Sequence, residues 1–278
     1  MVENRQRFWG VMVLVFIAGM FWGRGLLVPE TSEARETALQ RVLRTGTLRC
    51  GYIVFAPYFE IDPKTGRKSG LGYAFAEAIG EELGVRVEWV EETGWGTFAE
   101  GLNAGRYDAL CSPLWESGQR ARAALLTRPI FADKVFAYVR ADDGRFDDGL
   151  SALNKKGVRI ADYEGDITKK VRELAFPLAQ DVALSPLTGE GEYLLNVATR
   201  KADAVLVGMD AAQRYNRTAT VKLKPVGSEP VRFFSAVLAV RHGEQDLKDA
   251  LDSTLHALSV SGQAQAILAR YPGQSCVR

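Results

Sequence analysis

Gly105-Arg106-Tyr107-Asp108-Ala109-Leu110-Cys111-Ser112-Pro113-Leu114-Trp115-Glu116-Ser117-Gly118-Gln119-Arg120 says more about this protein's organisation than any other stretch of it. Apolar spacing predicts a helix over Thr97 to Ala104 that stops at Gly105. A short apolar strand follows, then a turn through Ser112 and Pro113 into a new helix with Arg120 in its first turn. That succession builds an anion site. Backbone N–H groups at a helix start, the Ser112 hydroxyl and a guanidinium that grips two oxygens at once suit a carboxylate better than a neutral group. An isolated arginine on a helix face is usually just solvated, so the reading rests on these neighbours.

Working outward, strand and helix periods alternate along most of the chain, the pattern of an α/β fold. Strands are expected over Thr47 to Tyr52, Val85 to Val90, Gly157 to Ala161, Asp181 to Leu184 and Ala202 to Val207. Helices are expected over Tyr73 to Leu83, Ile167 to Leu174 and Tyr193 to Thr199. Lys64 to Lys68 reads as a solvated hairpin tip. An internal echo, Gly105-Arg106-Tyr107-Asp108-Ala109-Leu110 against Arg200-Lys201-Ala202-Asp203-Ala204-Val205-Leu206, points to two similar lobes. Extended segments at Lys134 to Val139 and Phe233 to Val240 read as crossings between them, and the final helices, Gln245 to Ser261 and Gly262 to Tyr271, return to the first. The expected division is 1–34 for a signal or anchor helix and connector, 35–131 with 235–278 for lobe one, and 132–234 for lobe two. A cleft at the carboxyl ends of the parallel strands is the natural ligand site.

Arg5 and Arg7 precede an apolar run from Phe8 to Trp22, which marks export. A cleaved signal and a retained anchor are both open; the absence of an alanine-type cleavage site and of a lipid-accepting cysteine after it favours the anchor, with the rest of the chain outside the cytoplasm. The net charge of +1, from 35 basic and 34 acidic residues, gives no electrostatic footprint for nucleic acid. Three cysteines allow at most one internal bridge. Cys50 and Cys111 both fall on expected strands, where neighbours seldom meet disulfide geometry, so buried free thiols are expected.

Leu48-Arg49-Cys50-Gly51-Tyr52, Phe55-Ala56-Pro57-Tyr58, Gly66, Gly70, Trp95, Gly105-x-x-Asp108 and Arg120, in that order and spacing, resemble the family 3 bacterial extracellular solute-binding proteins. The resemblance runs from about Arg41 to Tyr271. It implies the two-lobed type II periplasmic-binding-protein fold, each lobe a mostly parallel sheet flanked by helices. It also implies a monomer that captures a small carboxylate-bearing solute, an amino acid or related compound, for an ABC importer. Within it, Arg120 holds the ligand carboxylate beside Ser112, and Phe55 and Trp95 supply aromatic walls; Tyr52 and Trp115 are further candidates for ligand contact.

The chain departs from the amino-acid-binding pattern at several points. Pro113 and Trp115 stand where many members carry serines, so a donor is lost and a bulky ring enters. The acid expected five positions after Asp203, the usual partner of a ligand ammonium, is Gly208, with Asp210 two residues on. After Gly165 comes Asp166 rather than a serine or threonine, then Thr168 next but one. Asp166, Thr168 and Asp210 complete the candidate site. No cofactor or metal is expected. An enzyme on the same scaffold, dehydratase-like and acting on a small carboxylate, is the rival reading. It has little machinery, since the only histidines are His242 and His256 in the returning segment, and no nucleophile elbow or P-loop is present. A ligand-sensing module is the third.

Overall fold

The computed structural model describes residues 36–271 without 164–166 and 185–189, together with residue 274. The expected N-terminal helix and connector, Asp166 and Cys276 lie outside the described residues. Among the described residues no helix is long and apolar enough to cross a membrane. From Thr37 onward the chain packs as one unit.

Helix α1 (Ala38–Thr45) starts with a capping box between Thr37 and Gln40 and ends at Gly46, whose φ of 63° is the left-handed conformation that glycine adopts without a Cβ clash. It leads into β1 (Thr47–Tyr52), the β2 (Glu60–Ile61) and β3 (Lys68–Ser69) hairpin, α2 (Leu71–Leu83), β4 (Arg86–Glu92), α3 (Phe98–Asn103), β5 (Ala109–Trp115), α4 (Gly118–Ala123) and β6 (Leu125–Leu126). Strand β7 (Phe131–Arg140) then carries the chain to β8 (Arg159–Tyr163), α5 (Ile167–Ala175), β9 (Gln180–Leu184), α6 (Glu190–Ala198), β10 (Ala204–Gly208), α7 (Met209–Thr218) and β11 (Leu223–Pro225). Strand β12 (Arg232–Val240) brings it back to α8 (Gln245–Val260) and α9 (Gln263–Leu268). The sheet has ten strands, with the main path β4-β1-β5-β12-β7-β10-β8-β9. β1 lies parallel to β4 and β5, and β8 lies parallel to β9 and β10, while β12 and β7 join the two groups as an antiparallel pair.

Along that pair the hydrophobic core changes hands. Phe131 and Ala236 pack with Leu48, Leu71, Phe75 and Leu247, whereas Val135 and Phe234 pack with Leu153, Ile160 and Leu206. The two strands thus pass from one lobe's core to the other's within a few residues. The internal echo is a structural repeat down to its hydrogen bonds. Asp108 accepts from the Arg49 backbone N–H at 2.8 Å and pairs with the Arg49 guanidinium, which also reaches the Gly105 carbonyl at 3.0 Å. Asp203 accepts from the Arg159 backbone N–H at 2.9 Å and pairs with its guanidinium, which reaches the Arg200 carbonyl at 2.9 Å. In each lobe a buried aspartate ahead of one parallel strand ties down the start of its neighbour, satisfying its own charge in doing so.

Two expectations are corrected. Strand β5 does not end at Ser112 and Pro113 but runs on to Trp115, and the following helix is capped by Ser117, which accepts from the Arg120 N–H at 3.2 Å. Proline is tolerated inside this strand because pairing with β12 shifts register between Leu110 and Leu114, a bulge in which Pro113 owes no ladder hydrogen bond. Cys50 and Cys111 form a disulfide with their Cα atoms 5.4 Å apart, rather than free thiols. The parallel ladder pairs only Cys50 with Ala109 and Gly51 with Leu110 before β5 enters its bulge, so Cys111 escapes the regular strand spacing that disfavours a bridge. The bridge closes a separation of 61 residues, enough to remove about 4 kcal/mol of chain entropy from the unfolded state. The double variant Cys50→Ala with Cys111→Ala should lose stability of that order in urea unfolding; a midpoint equal to the parent's would contradict it.

Candidate functional site in the cleft

The site begins with a close approach. The N–H groups of Leu71 and Gly72 at the start of α2 donate to the carbonyls of Pro57 and Tyr58 at 2.8 and 2.7 Å. A Cβ at Gly70 or Gly72 would collide with those carbonyls or with Pro113. Glycine therefore lets the helix end seat the Pro57-Tyr58 loop, whose peptide bond after Ala56 is cis. Tyr58 is thereby buried, stacked between Phe55 and Phe131 with ring centroids 6.3 and 6.0 Å away.

Two adjoining pockets share Phe55, Tyr58 and Trp115 as a common wall. The first is completed by Trp95, Pro113 and Arg120. Arg120 is buried, its Nη1 donates to the Trp115 carbonyl at 2.7 Å, and its guanidinium carbon lies 5.5 Å from the Trp95 ring centroid. A carbonyl on one edge and an aromatic face fix the plane of the guanidinium, which costs a ligand carboxylate less ordering entropy than a mobile side chain would. The second pocket is lined on the far side by Thr168, Tyr193, Leu206, Val207, Gly208, Asp210 and Ala211.

Of the residues expected from sequence, Arg120, Phe55, Trp95, Trp115, Thr168 and Asp210 line this cleft, and Trp115 is held there by stacking on Phe234 at 4.5 Å. Ser112 lies behind the lining. Its hydroxyl accepts from the Ile53 N–H at 2.9 Å and donates to the Ile53 carbonyl at 3.2 Å, so it braces the loop after β1. Tyr52 stacks on Phe59 at 4.7 Å and against Trp89 at 6.1 Å, in an aromatic cluster apart from the pocket linings.

Sequence reasoning missed Asp133, on the crossing strand β7. Its Oδ2 accepts from the Tyr58 hydroxyl, in a short contact, and from Trp115 Nε1 at 2.9 Å. Its Oδ1 accepts the Lys134 N–H at 2.9 Å. One buried carboxylate thus anchors two walls of the cleft to the crossing. The signal was there in the period: Asp133 stands in phase with buried Phe131 and Val135, where a strand's core face calls for an apolar residue. Burial pushes Asp133 up to about 6, its Tyr58 and Trp115 bonds oppose the rise, and the charge of Asp210 adds to it. Asp210 is raised by burial too, against the pull of Arg214, whose Nη1 lies 3.4 Å from its Oδ2. Tyr58 is raised well above the phenol range by burial and by both acids.

A carboxyl whose folded-state value is raised holds its proton better when folded than when unfolded, so its contribution to stability is lost as pH rises through the window from about 4 to about 6. The stability of the ligand-free parent relative to Asp133→Asn should therefore fall by about 1 kcal/mol between pH 5 and pH 7.5. Urea unfolding of both proteins at both pH values measures it, and a pH-independent difference would contradict the assignment.

A cleft between two sheet-based lobes, joined by paired crossings and walled by aromatics with an oriented arginine at one end, is the construction of a two-lobed solute-binding protein. The chain belongs to the bacterial extracellular solute-binding proteins, family 3, whose model matches residues 48–274. The L-cystine-binding protein TcyJ of Escherichia coli strain K12 is 25% identical over 273 residues, which cover 97% of this chain and 96% of that protein. Among solved structures, an ancestral amino-acid-binding protein, a precursor of cyclohexadienyl dehydratase, shares the fold with a TM-score of 0.73 at 22% identity, over 84% of this chain and 99% of that one. A histidine kinase sensor domain with similarity to periplasmic binding proteins gives a TM-score of 0.71 at 25% identity, over 83% of this chain and 98% of that one.

Proposed function

We propose that the protein captures a small carboxylate-bearing solute, an amino acid or a related compound, outside the cytoplasm and presents it to an ABC permease. The observation that carries this reading is Arg120, buried in the cleft, oriented by the Trp115 carbonyl and the Trp95 face, and lining a pocket with Phe55 and Tyr58. An oriented guanidinium supplies paired donors for a carboxylate, and the aromatic walls supply apolar surface for the remainder of the ligand. The names of the relatives, one an L-cystine-binding protein and one an ancestral amino-acid-binding protein, agree with that chemistry. The apolar run after Arg5 and Arg7 agrees with export and with an N-terminal anchor.

In this reading lobe one is 35–131 with 235–278, lobe two is 132–234, and the lobes close on the ligand about the β7 and β12 crossings, giving the permease a liganded surface to recognise. Catalysis has less support. His242 and His256 are both exposed on the returning segment, and Glu116 is exposed at the end of β5. The second reading, a sensor that signals through a partner, is favoured by the 25% identity to a kinase sensor domain.

A thermal-shift screen of amino acids, L-cystine and simple carboxylates identifies the ligand, and calorimetry on variants tests the site. Arg120→Ala should weaken binding by about 30-fold to several thousand-fold, the consequence of leaving a buried carboxylate unpaired, and Arg120→Lys should fall between it and the parent. Undiminished affinity in Arg120→Ala would overturn the carboxylate assignment.

A further inference from the structure

A residue seven positions from the stretch that closes lobe one reaches into the cleft. Helix α9 packs on lobe one's core through Ala264, Ile267 and Leu268, and Tyr271 packs against the same core. Tyr271 also borders a groove with Gly70 and Tyr73 of the α2 start. Only Pro272 and Gly273 then separate it from Gln274. Three residue steps span at most about 11 Å, so Gln274 cannot stray far from lobe one. Its carboxamide lies against the Tyr58 hydroxyl and the Asp210 carboxylate, two groups that line the second pocket from opposite lobes. Resting on the reading of the cleft as a solute site, we infer that the Gln274 side chain is a tethered plug. It fills the Tyr58 and Asp210 end of the second pocket in the ligand-free protein, bridges the lobes there, and leaves when a solute held at Arg120 extends into that pocket.

The contact has the character of a plug rather than of a structural tie. Both polar atoms of the Gln274 carboxamide are shut off from water, yet neither meets a partner at full hydrogen-bond geometry. Burial raises both Tyr58 and Asp210, and the amide, a lesser influence, lowers each of them. A neutral amide buried with incomplete bonds recovers only part of its lost hydration, so it is held weakly. Asp133 shows what a tie in the same neighbourhood looks like: its Oδ2 accepts from Tyr58 and from Trp115, and its Oδ1 accepts from the Lys134 N–H.

Tethering makes up for the weak contact. A group on a short linker competes at an effective concentration of about millimolar, so the plug occupies the pocket while solute is scarce. A solute that engages Arg120 and offers Tyr58 and Asp210 better-formed bonds displaces it. The two pockets make that exchange stepwise: Asp210 belongs to the second, whereas Arg120, Trp95 and Pro113 complete the first. A carboxylate can therefore meet Arg120 before the amide moves. The tail then acts as an internal competitor, raising the solute concentration at which the cleft fills and returning to the cleft when the solute leaves.

Calorimetry with L-cystine, L-glutamine, L-arginine and succinate as probes, together with proton–nitrogen NMR of the side-chain amides, tests this on the full chain. In the ligand-free parent the Gln274 NH2 pair, assigned by its disappearance in Gln274→Ala, should resonate away from solvent-exposed amides. Saturation with a bound probe should move it to their positions. Gln274→Ala removes the plug, and Gln274→Glu expels it by setting a second carboxylate beside Asp210. Both variants should bind a probe about tenfold or more tighter than the parent, because the probe no longer displaces a bond made to a charged group. Equal or weaker affinity in Gln274→Ala, or an NH2 pair that stays in place with ligand bound, would overturn the plug; the Arg120 reading would then stand or fall on its own variants. Binding of no probe by the parent or by either variant would overturn both.

Discussion

The antiparallel pairing of β7 with β12 is the constraint on which this structure hangs. Phe233 lies opposite Lys134, Phe234 opposite Asp133 and Ser235 opposite Ala132, midway along a sheet whose flanking groups are parallel. A backbone ladder has to stay continuous to satisfy its N–H and C=O groups, so the two cores must exchange along it without a break. Lobe one's core ends at Phe131 and Ala236 and lobe two's begins at Val135 and Phe234. Asp133 falls in that interval, where neither core supplies enough apolar surface to exclude it, and it converts the gap into a point of attachment for Tyr58 and Trp115.

This attachment links scaffold to chemistry. The cleft walls depend on one another: the α2 start and its glycines seat the Tyr58 loop, Tyr58 and Trp115 meet at Asp133, and the Trp115 carbonyl aligns Arg120. The result is a site with a cation at one end and two buried acids at the other, and apolar rings between.

How much of this could be read in the sequence follows from the range of each interaction. Alternating strand and helix, the Asp108 and Asp203 echo, the crossings and the returning helices all leave local patterns, because burial of one face imposes a period on the chain. Arg120, Trp95, Phe55, Trp115, Thr168 and Asp210 were found because loop and helix-start positions bear recognisable residue types. Ser112 and Tyr52 carried the same local signs, yet Ile53 takes the first and Phe59 with Trp89 the second, contacts made by segments that only folding brings beside them. The paired thiols went unread for a similar reason: the bulge that admits Pro113 also frees Cys111 from regular spacing, and a bulge depends on the partner strand.

By itself, then, the sequence determined the α/β class and the doubled lobe with its Asp108 and Asp203 echo, since these rest on periodicity and on residues close in the chain. Tertiary structure alone decided where the negative end of the cleft lies. Tyr58, Asp133 and Asp210 come from three distant segments and converge around Gly208. No local pattern records such a convergence, because its members are contributed by distant parts of the chain.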